Sequence, residues 1–216
     1  MDIKICGITT VEDAAAAAAL DIQAVGLVFY PKSPRFVDEA AARRIVESLP
    51  SRIAAVGVFV DTPASAVLQT ARAVGLHAVQ LHGSEPPEDI CRLRDAGLRV
   101  VKALFVNRAP GLDAHTAYAP TAFLVECAGS RRPGGNALTW DWSRARGAIP
   151  AVPMILAGGL TPENVRDAVL AADPSGVDVS SGVESRPGRK DPEKMHRFVN
   201  AVRRLRPHPS QGGIFS

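Results

Sequence analysis

Eight short apolar runs rich in β-forming residues recur along the chain, at 3–6, 24–29, 53–59, 78–81, 99–105, 122–126, 152–157 and 177–180, with helical patterns between them. The helical stretches stand out at 10–20, 38–49, 63–74, 86–96, 161–171 and 192–205, several opened by a capping residue followed by an acid or a proline. Strand starts spaced about 22 to 30 residues apart leave room for a strand, a helix and two loops. Such strict alternation builds a parallel sheet, since parallel neighbours need a crossover. Eight units within 216 residues predict a single closed (β/α)8 TIM barrel over 1–205 rather than an open sheet. The fifth and sixth units look weak: 107–121 is rich in Pro, Gly and Ala, and the helix near 142–148 is short. Residues 206–216 carry two prolines, two glycines and little apolar surface, and read as a flexible C-terminal tail outside the barrel.

Composition narrows the partners. Hydrophobic residues make up 46% and aromatics only 5%, so the core is expected to consist of many small aliphatic contacts. Lys plus Arg number 25 against 22 Asp plus Glu, with no basic stripe interleaved with aromatics, which argues against a nucleic-acid partner. The longest apolar stretch, Ala14–Leu20, lies between Asp13 and Asp21 and falls well short of the roughly 20 residues that cross a bilayer, so no membrane partner is expected. Cys6, Cys91 and Cys127 form no closely spaced metal pairs, and the N-terminus lacks the sections of a signal peptide. We therefore expect a reducing cytoplasm and no metal, with Cys91 and Cys127 filling space in the fold.

Side chains alternate along a strand, and Ile3 and Ile5 should face the helices, which turns Lys4 and Cys6 into the barrel. The same reading aims Gln80 and His82, Lys102, Leu124 and Glu126, and Asp178 and Ser180 inward. In such barrels the chemistry sits at the carboxyl ends of the strands, which nominates Cys6, His82, Glu126 and Ser180. Lys4, Lys102 and Asp178 lie deeper, where unpaired charge is costly, and predict an ion-paired network. Cys6 would serve as a base if Lys4 favours its thiolate. Glu126, at a largely apolar mouth, could keep a proton and act as an acid, with a cation such as Lys102 pushing the other way. Two glycine turns suit a phosphate: Gly158-Gly159 feeding a helix after the seventh strand, and Ser181-Gly182 after the eighth. Arg35, held between prolines after the second strand, could make a forked contact with a carboxylate.

Six separated segments, KICGIT at 4–9, GLVFYPKSPRFV at 26–37, VGVFVD at 56–61, VQLHGSE at 79–85, LAGGLTPENV at 156–165 and VDVSSGVESRPGRKD at 177–191, together resemble the phosphoribosylanthranilate isomerase family of tryptophan biosynthesis. The resemblance implies an Amadori rearrangement of N-(5-phosphoribosyl)anthranilate, a small phosphosugar substrate, without cofactor or metal, by a monomer or homodimer. It makes Cys6 the base and the carboxyl group closing strand six the acid, gives Arg35 the anthranilate carboxylate, and gives the glycine turns the phosphate. His82 and Asp178 join the substrate-binding set. The chain departs from the family pattern in having Glu126 where an aspartate is usual, and Asn136-Ala137 where the family's mobile loop reads Thr-Gly. One added methylene leaves open an altered substrate, such as an aminated phosphosugar of the histidine pathway, or a relic that binds without turnover. Relatives that handle both substrates carry an aspartate where this chain has Cys6.

Overall fold

The computed structural model describes residues 1–127, 139–205 and 213–215. Parallel pairing runs in chain order through β1 (Asp2–Cys6), β2 (Ala24–Val28), β3 (Ala54–Phe59), β4 (Ala78–Leu81), β5 (Arg99–Phe105), β6 (Ala122–Glu126), β7 (Met154–Leu156) and β8 (Gly176–Val179). β8 returns to β1, with Lys4 opposite Asp178, and the expected barrel closes. Six helices wrap it: α1 (Val11–Ala18), α2 (Glu39–Ser48), α3 (Ala64–Val74), α4 (Pro87–Asp95), α5 (Val165–Ala172) and α6 (Pro192–Arg203). Thr10, Asp38 and Asp191 cap α1, α2 and α6 by accepting backbone N–H groups of their first turns. Among the described residues, the two weak units hold only 3₁₀ turns, Leu112–Ala117 and Trp142–Ala145. Among the described residues, no helix is long and apolar enough to cross a membrane.

The pleat separates two apolar layers. Ile3, Ile5, Val79, Leu81, Val100, Leu104, Val177 and Val179 pack outward against the helices, while Ala24, Ala54, Val56, Ala78, Val101, Ala103, Phe105, Ala122, Leu124 and Ile155 fill the interior. This register corrects one assignment. Lys102 alternates with Val101 and Ala103, so it points out of the barrel and not into it. There its ammonium bonds the Gly83 carbonyl at 2.7 Å and Glu85 Oε2 at 2.8 Å. Cys91 also departs from expectation, since it sits exposed on α4.

The tail is the second correction. Residues 206–212 and 216 lie outside the described part, but Ile214 and Phe215 are buried within the interior cluster. The Ile214 N–H donates to Asp2 Oδ2 at 2.7 Å, and Arg99 Nη1 donates to the Ile214 carbonyl at 3.2 Å. The reason is volume. The inward residues that begin β2, β3, β4 and β6 are all alanines, and β8 begins with Gly176, beside the Ile214 side chain. A barrel floor built from such small residues leaves space that a chain end can fill. Ile214→Ala is expected to cost about 2 kcal/mol, read as a fall of roughly 4 to 8 °C in Tm by calorimetry. A melting point within 1 °C of wild type would mean that the floor is closed without it.

Candidate active site

Cys6 ends β1 and Glu126 ends β6, and both open onto one cleft at the carboxyl ends of the strands. The cleft wall also holds Arg35, His82, Gly158, Gly159, Asp178 and Ser181. Of the residues expected to act on or bind the substrate, Gly182 alone is not on this wall. It lies against the Leu160 carbonyl oxygen, where any side chain would collide, so its role is to let the loops after β7 and β8 touch.

Because Ile3 and Ile5 are fully buried against the helices, Lys4 and Cys6 stand inside the barrel as expected. Lys4 Nζ lies 2.8 Å from Asp178 Oδ1, and the neighbouring Cys6 also favours its charge. Burial works against the Lys4 charge, but Asp178 and Cys6 outweigh it and hold the lysine above its ordinary pKa, so it stays an ammonium. The expected effect of Lys4 on the thiol is too small. Burial pushes the Cys6 pKa up, attraction to Lys4 and Lys190 only partly offsets this, and repulsion from Asp178 adds to it. Cys6 therefore rests as a thiol near neutral pH.

Glu126 meets a histidine instead of a lysine. Its Oε1 lies 2.9 Å from His82 Nε2, and both side chains are buried. His82 Nδ1 lies 2.9 Å from Gln80 Nε2, and the imidazole stands edge to face with Phe105. Since Lys102 is outside the barrel, the opposing influence expected from it does not arise.

Arg35 makes the forked contact its position suggested, but the carboxylate is the protein's own. Nε and Nη2 each lie 2.7 Å from an oxygen of Glu184. Lys190 Nζ adds a bond to Glu184 at 2.9 Å and one to the Ser180 carbonyl at 3.1 Å. Burial alone would raise the Glu184 pKa, yet Arg35 and Lys190 together hold it below the usual carboxylate range. Glu184 and Lys190 went unread in the sequence. Both lie in the 177–191 segment, and two charges this close behind a barrel strand have little but the mouth of the barrel to reach.

The glycine turn after β7 is a backbone requirement: Gly158 and Gly159 adopt φ of +83° and +68°, which side chains rarely allow. The Ser180 hydroxyl borders the same wall, buried and without a hydrogen-bond partner. A buried donor left unsatisfied carries a cost that a polar ligand can remove. The Asn136-Ala137 departure falls outside the described residues. Among those described, no group of three or more His, Cys, Asp or Glu could hold a metal.

Comparison with known proteins agrees with this geometry. The family profile described as N-(5'phosphoribosyl)anthranilate (PRA) isomerase matches residues 3–201. The N-(5'-phosphoribosyl)anthranilate isomerase of Desulfatibacillum aliphaticivorans is 49% identical over 199 residues, spanning 92% of this chain and 91% of its own. A crystal structure of phosphoribosyl anthranilate isomerase in complex with reduced 1-(o-carboxyphenylamino)-1-deoxyribulose 5-phosphate superposes with a TM-score of 0.80 at 38% identity, covering 95% of this chain and all of its own. A structure of mutually generated monomers of the dimeric isomerase from Thermotoga maritima matches with the same TM-score, identity and coverage.

Proposed function

The chain belongs to the N-(5'-phosphoribosyl)anthranilate isomerase family, and from that premise we propose that Cys6 and Glu126 are the base and acid with which it works. Its activity is the aldose–ketose isomerisation of phosphoribosylanthranilate in tryptophan biosynthesis. Glu126 gives a proton to the ring oxygen of the sugar. The C1–O bond breaks as the anthranilate nitrogen lends its electron pair, leaving an iminium at C1. The Cys6 thiolate then takes the proton from C2, and the released pair forms an enolamine that becomes the ketone as C1 gains a proton and the C2 hydroxyl loses one.

The remaining wall binds. Gly158, Gly159 and Ser181 present backbone to the phosphate, with Gly182 keeping the two loops in contact. Arg35, fixed by Glu184, keeps Nη1 for the anthranilate carboxylate. Asp178 keeps Lys4 charged and turns its second oxygen to a sugar hydroxyl. We place the enzyme in the cytoplasm as a monomer or homodimer, the assembly being supported by the dimeric relative.

The observation that carries the assignment is that one thiol and one carboxyl group end inward-facing strand positions on a single cleft. Freshly prepared phosphoribosylanthranilate provides the test. Anthranilate-type fluorescence should decay at a rate proportional to enzyme, Glu126→Ala should slow it by roughly 10²-fold, and Glu126→Asp should retain turnover. Binding without decay would make the chain a relic, and full activity in Glu126→Ala would remove the acid from this position.

A further inference from the structure

Gln80 is deep in the barrel, 2% exposed, on the inward side of β4, where a glutamine amide has no apolar contact to gain. Its Nε2 lies 2.9 Å from His82 Nδ1, and among the described residues its buried Oε1 has no partner. An amide NH₂ can only donate, so in this contact Nδ1 must accept. An imidazole whose Nδ1 accepts carries its proton on Nε2, and Nε2 is the atom 2.9 Å from Glu126 Oε1. The chain of contacts therefore has a direction: the Gln80 amide donates to His82, and His82 donates to Glu126.

We propose that Gln80 is a positioning residue for the isomerisation. By fixing His82 as the Nε2–H tautomer, it commits one oxygen of Glu126 to the imidazole and leaves the other for the substrate. This inference rests on Glu126 being the acid. It also accounts for the tolerance of glutamate here. A glutamate has one more rotatable bond than an aspartate, and a side chain free to swing would miss the ring oxygen in many of its rotamers. Tied at Oε1 by a histidine that is itself held, the longer acid keeps one geometry.

The test is the ¹⁵N spectrum of His82 in the wild-type protein near neutral pH, assigned by comparison with His82→Asn. Expected is a pyrrole-like Nε2 and an unprotonated, pyridine-like Nδ1. A protonated Nδ1 overturns the proposal whatever the variants do. Gln80→Leu and Gln80→Met remove the donor while keeping bulk, and each should lower kcat by roughly 10- to 100-fold with KM within about twofold. In Gln80→Glu the new carboxylate accepts only, which should move the proton to Nδ1 and lower kcat as well. If both apolar variants keep kcat within twofold and the Nε2–H signature, Gln80 only fills space. Loss of activity in Gln80→Leu accompanied by an equal rise in KM also counts against it. Retained activity in Glu126→Ala would strike the acid assignment without touching the tautomer, so the two failures are separable.

Discussion

Cys6→Ala is expected to lower kcat by roughly 10² to 10⁴, with substrate binding nearly unchanged, because the proton on C2 then loses the acceptor assigned to it. The thiol is small and the interior around it includes Val28 and Val58, so the melting temperature should shift by only a few degrees. Wild-type enzyme supplies the companion measurement. Only the thiolate can take the proton, and burial raises the Cys6 pKa above its ordinary value of 9.0. Below that pKa the thiolate fraction grows about tenfold per pH unit, so the rate at which a small alkylating agent captures Cys6, with Cys6→Ala as the blank, should climb from pH 6.5 to beyond pH 8.5. The sign follows from the direction of the shift: a raised pKa moves the ascending limb to the alkaline side. A capture rate flat across this window would contradict the raised pKa, and a Cys6→Ala enzyme with wild-type kcat would take the base away from Cys6.

Lys102→Met carries the largest expected effect on stability. Lys102 and Glu85 are 2.8 Å apart, with side chains 0% and 1% exposed. Glu85 also accepts the backbone N–H groups of Asp61 and Gly83, which ties the ends of β3 and β4 together. Removing the ammonium leaves a buried carboxylate without its cation, at a cost of about 3 to 5 kcal/mol, or roughly 6 to 20 °C in Tm. Restoring neutrality with Glu85→Gln in the same chain should recover much of that loss, since the penalty comes from the stranded charge. Should Lys102→Met melt within 2 °C of wild type, the pair contributes nothing measurable.

Where one face of a strand is apolar and the other is not, the sequence was easy to read. β1 alternates isoleucine with Lys4 and Cys6, and β8 alternates valine with Asp178, so their inward residues were identified before any coordinates. β5 gives no such signal. Residues 100 to 105 are apolar on both faces apart from Lys102, and a strand covered on both sides loses its period of two. The partner that draws Lys102 outward lies on a loop after β4, beyond the reach of local pattern. The Arg35–Glu184 fork spans 149 residues and leaves no trace in local spacing, whereas Gln80 and His82 stand two residues apart on one face, a spacing that brings them together without showing which atoms meet. Ile214 and Phe215 were missed as two apolar residues in a run of Gly, Pro and Ser. The signal for them lay elsewhere, in the alanines that begin four strands.

The contact between Asp2 and Ile214 joins residues 212 positions apart. A ribosome releases the chain from its amino end, so the cleft, built from residues that are all earlier than Ile214, can assemble before its base is sealed. Closing so long a loop adds little entropy beyond that of a shorter one, but it must wait until Ile214 has been synthesised. The growing polypeptide thus exposes a ring of bare alanines on the face opposite its chemistry until Ile214 and Phe215 arrive.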